Sequence, residues 1–184
     1  MTMSDSKRAF ERAMRLAAVT GLRAALGPAL IQAAYDRPNQ KVWALAAMGE
    51  MVFDKLPFVP SRASLPAMLP RAVGGGYVAR EVMRREGIDD PTITAMGAAV
   101  AAGVAALAPR IRGVLGVVLG IPGPLLGLAE DYLALKVGGE ALGMTLEDLR
   151  ALGENSLGEV SHWVESAEGS SGHTPPQPVG AGSM

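Results

Sequence analysis

From Pro91 to Pro109 the chain runs for 19 residues without a charged side chain, and Asp90 and Arg110 bracket the run. No other feature constrains the fold as tightly. A helix crossing a bilayer needs about 20 consecutive apolar residues, so this run is the cleanest candidate for a crossing. A second charge-free run extends from Gly113 to Ala129, is broken by Ile121-Pro122-Gly123-Pro124, and leads directly into Glu130-Asp131. Three weaker apolar stretches come first. Residues 16–35 carry Arg23 and a Gly27-Pro28 break, residues 42–58 carry Glu50, Asp54 and Lys55, and residues 65–82 carry Arg71 and the triplet Gly74-Gly75-Gly76.

These stretches are helical rather than extended. Hydrophobic residues make up 49% of the chain and aromatics only 4%. The apolar mass is therefore Ala, Leu and Val, with 23 Gly beside it. Alternation of β-branched and aromatic residues is scarce, and Ala-rich runs are poor strands. With Gly included, the apolar share rises to about 60%, against about 45–50% in soluble domains. That excludes a disordered chain. The expected fold is all-α, a small polytopic membrane bundle of four to five spans with an extramembrane C-terminal helix.

Two stripes of small residues support the membrane reading. Ala13, Ala17, Gly21, Ala25, Ala29 and Ala33 recur at every fourth position, as do Gly97, Ala101 and Ala105. Such stripes let helices approach closely in lipid, where packing replaces the hydrophobic effect. They also suit pairing with a second copy. Gly and Pro interruptions are tolerated where neighbouring helices re-satisfy the backbone.

Charge divides the chain near residue 140. Residues 1–139 hold 16 basic and 11 acidic side chains, whereas residues 140–184 hold 1 and 7. The expected organisation is an amphipathic segment (1–15), a helical membrane domain (16–140), a polar acidic helix (141–168) and a disordered tail (169–184). Thr145 and Asp148 have the spacing of a capping box, opening a helix over 146–166 whose apolar side holds Leu149, Leu152, Leu157, Val160 and Trp163. The tail from Gly169 buries almost nothing, so truncation after Glu168 should leave folding intact. A cleaved leader is not favoured, because Arg23 and Gly27-Pro28 interrupt the first apolar stretch.

The positive-inside rule places the basic amino-terminus in the cytoplasm, together with the Arg110-Ile-Arg112 connection. Four crossings at 16–35, 42–58, 65–82 and 91–109 satisfy both. A fifth at 113–135 would put the acidic tail outside. This arrangement also puts Arg80 to Asp90 outside.

Little in the chain suggests catalysis. It has no Cys, which excludes disulfides, thiol nucleophiles and Cys-ligated metal. Its two His, His162 and His173, lack zinc-ligand spacing. Gly74-Gly75-Gly76 has no following Lys-Ser/Thr of a P-loop. No cofactor is expected. Basic residues are scattered without an aromatic-rich patch, which argues against nucleic acid.

The residues that can carry function are charges within or beside apolar stretches: Arg23, Glu50, Asp54, Lys55, Arg71, Glu130 and Asp131. A charge at membrane depth costs at least about 2.5–3.5 kcal/mol on insertion scales, so it normally faces a partner or water. Glu50 and Asp54 stand four residues apart and share a helix face, where like charges repel. A cation, a proton or an Arg from another helix would relieve them. Glu130 and Asp131 point about 100° apart on a helix. Two accounts remain open. The two acidic motifs can meet across the bundle at a cation or proton path, with Arg23 or Arg71 neutralising them when it is empty. Alternatively the charges are structural ion pairs or helix-end markers.

Gly21-Leu-Arg23-Ala24, Glu50-x-x-x-Asp54-Lys55-x-Pro57, Arg71 with Gly74-Gly75, and Ala129-Glu130-Asp131 follow one another in order. In this the chain resembles the small bacterial integral membrane proteins of domain of unknown function four-one-two-six, over roughly residues 16–140. The resemblance implies a multi-helix protein of the bacterial inner membrane and supplies no catalytic residues. Three function classes stay open: a small ion, proton or polar-solute transporter, a non-transporting membrane scaffold or accessory subunit, and a soluble all-α binding module. The lipid bilayer is the expected partner of the first two.

Overall fold

The computed structural model describes residues 3–53 and 65–171, and every regular element among them is helical. The protein is all-α. The helices are α1 (Met3–Leu22), α2 (Leu26–Ala34), α3 (Gln40–Phe53), α4 (Leu65–Arg85), α5 (Pro91–Leu119), α6 (Gly123–Leu142) and α7 (Leu146–Ser171).

The centre of the bundle is the packing of α1, α4 and α5 on one another. Small residues make it possible. The buried positions of α5 are Gly97, Ala101 and Ala105, one stripe at four-residue spacing. Gly75 on α4 crosses Gly97, and a Cβ on either would run into the other's backbone carbonyl oxygen. The glycine triplet is thus a crossing point inside α4 and not a break. On α1, Ala9, Ala13 and Ala17 are fully buried. α1 runs unbroken from Met3 through the expected boundary at residue 15 to Leu22. The small-residue faces expected to bind a second copy are occupied within the chain.

α1 and α2 do not form one crossing over 16–35. α4 serves as a ruler for both. Arg12 bonds Glu86 at 2.7 Å, and Thr20 lies against Gly74, so α1 runs antiparallel to α4. Gln32 bonds Tyr77 at 3.1 Å, the Arg85 guanidinium lies over the Tyr35 ring, and Arg37 pairs with Glu81, so α2 runs parallel to α4. The chain enters along α1, reverses at residues 23–25, and returns along α2 to the same end. That end gathers Arg12, Arg37, Glu81 and Glu86. It also holds the Arg80–Asp89 pair, which keeps the Asp89 carboxyl below its usual range. Arg80 to Asp90 thus share an end of the bundle with the start of α1, where the expected topology separated them.

A second correction concerns residues 91–135. α5 continues unbroken through Pro109 and Arg110-Ile-Arg112, the expected loop, and stops at Gly120 in the left-handed conformation, φ 64°. Only Gly120 to Pro122 separate it from α6, so no crossing spans 113–135. Among the described residues α5 alone is long and apolar enough to cross a membrane, with 29 residues and a mean hydropathy of 1.6 over an 18-residue stretch. α3 has 14 residues, while α1, α4 and α6 are interrupted by charges. Four or five independently apolar spans are therefore not what these helices present.

Gly143, left-handed at φ 73°, ends α6. Thr145 and Asp148 then form the reciprocal cap: Asp148 N–H donates to Thr145 Oγ1, and Thr145 N–H donates to the Asp148 carboxylate. α7 lies on α3 and α6 with Leu149 and Leu152 half-buried. Leu157, expected on the same side, is exposed. Gly169 to Ser171 continue the helix, and the rest of the expected tail lies outside the described residues.

Candidate functional site

The reversal at residues 23–25 originates in Pro28. Proline has no N–H for the carbonyl four residues back, and its ring crowds that carbonyl. The acceptor so abandoned is Ala24 O. The helix therefore breaks one turn before the proline and not at Gly27-Pro28, and Pro28 sits in the first turn of α2, where a missing N–H is tolerated. Arg23 N–H still bonds Val19 O at 2.9 Å, while Leu26 N–H bonds Arg23 O at 3.1 Å. The amides of Ala24 and Ala25 are left between the two helices.

Glu50 of α3 takes both amides. Its Oε1 accepts from Ala24 N–H and its Oε2 from Ala25 N–H, each at 2.9 Å. Ala25, at the N-cap position of α2, has no side chain able to do this. A carboxylate there also meets the positive end of the helix dipole. Arg71 of α4 donates to Glu50 Oε1 at 2.8 Å and to Ala67 O at 2.7 Å. One carboxylate thus joins α2, α3 and α4 through three charge-assisted bonds, the strong kind.

The other side of the break is held from α6. Arg23 is the largest fully buried side chain, and its Nε donates to Asp131 Oδ1 at 2.6 Å. Arg23 NH2 pairs with the same carboxylate, which is itself almost wholly buried. Glu130 faces elsewhere and pairs with Arg112 of α5.

Five of the seven expected site residues are therefore partnered within the bundle: Arg23 with Asp131, Arg71 with Glu50, and Glu130 with Arg112. Glu50 and Asp131 each hold the one break, Glu50 through the amides of Ala24 and Ala25 and Asp131 through the Arg23 side chain. Asp54 and Lys55 lie outside the described residues, as does the shared face of Glu50 and Asp54. Arg112 is the participant the sequence reading missed, having been assigned to a loop. A signal for it existed: Arg112 and Glu130 stand nine residues either side of Ile121, which brings them level if the charge-free run folds as a hairpin.

Next to the break lies a groove of about 660 Å³, lined by Pro28, Trp43, Val73 and Tyr77 among others and by no charged side chain. Its polar edge is the Gln32–Tyr77 hydrogen bond. The ionised groups of the cluster are thus turned to one another and not to the groove. Among the described residues no three His, Asp or Glu are placed to hold a metal ion. Chemically, the arrangement does one thing well: it compensates buried charge and frees a helix to reverse. Comparison with known proteins finds no match to a family model, a curated protein or a solved structure.

Proposed function

We propose that this protein is an integral membrane bundle whose buried ion pairs hold its helices in place, a non-transporting scaffold or accessory subunit. One observation carries the membrane part: on α5 and α6 small residues are buried and large apolar ones are exposed. On α5 the buried residues are Gly97, Ala101 and Ala105, whereas Leu107, Ile111, Val114, Val117 and Val118 are exposed by 52–86%. α6 exposes Leu125, Leu128 and Leu133 in the same way. Soluble monomers seldom leave apolar surface so continuous, while lipid rewards it and demands paired charges inside. Both basic stretches, Lys7 to Arg15 and Arg80 to Arg85, lie at one end of the bundle, which the positive-inside rule assigns to the cytoplasm.

The scaffold part follows from the saturation of the cluster. Each carboxylate there accepts from a guanidinium, and Glu50 caps a helix as well. Admitting a cation would require breaking one of these pairs. The transport reading has its own support in a helix broken beside two acids, as in carriers with central sites.

Two measurements decide. Alkaline carbonate washing of membranes should leave the protein in the pellet; recovery in the supernatant defeats the membrane reading. In proteoliposomes no proton or cation flux is expected, and Glu50→Gln should instead lower thermal stability in detergent by about 1–3 kcal/mol. A flux abolished by Glu50→Gln with the fold intact would establish transport.

A further inference from the structure

The groove beside the break has polar groups that the ion pairs do not use. It lies between α2, α3 and α4 and follows α4 from Pro70 to Tyr77, about 10 Å at 1.5 Å per residue. Its volume of about 660 Å³ falls in the range of small-molecule sites, which are apolar clefts with a few placed polar groups. Here those groups gather at one end. Gln32, 8% exposed, donates from Nε2 to the Tyr77 hydroxyl oxygen. The Tyr77 O–H proton is thereby turned away from Gln32. Trp43 stands two turns before Glu50 on α3, so it belongs to the same end, and its Nε1–H has no acceptor among the described residues. One turn beyond Tyr77, Glu81 pairs with Arg37, so this end of the groove faces the polar end of the bundle.

We propose that this groove binds an uncharged lipid by its carbonyl group, with the carbonyl oxygen at Tyr77 and Trp43 and the hydrocarbon along Ala25 and Pro28. The proposal goes beyond the scaffold reading and uses none of the exposed surface of α5 or α6. Three features select this chemistry. First, no charged side chain lines the groove, so an ionised headgroup would be buried without a partner, at a high cost. Second, donors outnumber acceptors at the polar end: Tyr77 O–H and Trp43 N–H stand against Gln32 Oε1 alone. A carbonyl oxygen brings two lone pairs and no proton, which answers that imbalance. Third, indole and phenol each carry a polar tip on an apolar body. They therefore suit a ligand that is polar at one point and hydrocarbon elsewhere.

The chain holds two tryptophans, Trp43 and Trp163, so Trp163→Phe leaves the groove indole as the single reporter. Three brominated probes share one hydrocarbon chain: the methyl ester of dibromostearic acid, the dibromostearate anion kept ionised at alkaline pH, and dibromooctadecane. Each is titrated into the full-length protein in detergent, and quenching of Trp43 is read against the probe's mole fraction in the micelle. The ester should quench saturably, with its half-effect at about a fivefold lower mole fraction than the alkane, the worth of one net hydrogen bond. The anion should do no better than the alkane. Tyr77→Phe should abolish the ester's advantage and leave the alkane curve where it was. Equal quenching by ester and alkane in the parent would overturn the carbonyl contact. Tighter binding of the anion would overturn the choice of an uncharged ligand. An ester advantage that survives Tyr77→Phe would overturn the role of Tyr77. Quenching that never saturates, or no quenching by any probe, would overturn the site itself, in favour of bulk micelle contact or of a protein cover. None of these failures touches the scaffold reading, which carbonate washing and the flux measurement decide.

Discussion

α5 and α7 sort their side chains in opposite senses. α5 turns Gly97, Ala101 and Ala105 inward and leaves Leu107, Val114 and Val117 outside. α7 turns Leu149 and Leu152 toward α3 and leaves Glu147, Asp148, Arg150 and Glu154 outside. Ion pairs differ in the same way. Arg23–Asp131 is buried from both sides, whereas Arg150–Glu154 is open to solvent along one helix surface. Burial of large apolar groups drives folding in water. That force is absent between helices in lipid, where close approach and polar pairing replace it. Under the proposed membrane reading, a chain using both rules meets both solvents, and the change falls at Gly143 to Thr145.

The sharpest way to break this comparison is to remove a charge from the inner cluster. Arg23→Met leaves the Asp131 carboxylate buried beside an apolar chain. Removing one partner of a buried pair costs about 3–5 kcal/mol, because the remaining charge is uncompensated. Arg23→Met together with Asp131→Leu should recover most of the loss, since apolar groups of similar volume replace buried pairs well. Thermal unfolding in detergent measures both. A single variant as stable as the parent would mean that the pair is incidental to the reversal.

A smaller effect tests the two solvents directly. Leu107 on α5 and Leu157 on α7 are nearly equally exposed, at 52% and 51%. In one uniform solvent, replacing either by Lys would have the same consequence. With lipid around α5, Leu107→Lys should cost about 2.5–3.5 kcal/mol of insertion free energy. Leu157→Lys should stay within about 0.5 kcal/mol, as surface changes in water do. The fraction of each variant recovered in carbonate-washed membranes is the measurement. Equal recovery removes the contrast.

How far the sequence reveals this arrangement depends on the range of each signal. The helical class, the stripe Gly97, Ala101 and Ala105 and the capping box at Thr145 are local patterns, and they are readable because spacing along a helix decides which residues share a face. The membership of Arg23, Glu50, Arg71, Glu130 and Asp131 in the candidate site is also legible, since charge in an apolar stretch asks for a partner. Pairing is not, because it depends on which helices touch. The reversal eluded the pattern because Pro28 acts on the carbonyl four residues before it, and because the amides it frees are answered by Glu50 from another helix. Arg110-Ile-Arg112 reads as a loop by its charge. α5 continues there because Arg112 finds Glu130 on α6, a contact invisible before the hairpin is known. The end at which Arg80 to Asp90 lie was hidden for the same reason: it depends on α1 and α2 returning to one end of the bundle.

The smallest expected effect lies at the start of α7, and it carries a pH signature. Asp148 accepts from Thr145 N–H and from the Thr145 hydroxyl, and these bonds hold its carboxyl below the usual carboxylate range. A lowered folded-state value means that the unfolded chain binds the proton more readily. The stabilisation is therefore complete above the ordinary carboxylate value and is lost as pH falls through the folded one. Asp148→Asn removes the charged acceptor. Its first-turn amides should exchange hydrogen faster than the parent's at neutral pH, and the difference should close as the parent's carboxylate protonates. The site is exposed to solvent, so the change should stay within the first turn of α7, where capping acts. Amides at the α4–α5 crossing, held by Gly75 against Gly97, should exchange alike in both proteins at every pH. A pH-dependent change there would mean that α7 and the inner bundle are coupled, and that the boundary at Gly143 is not a boundary in stability.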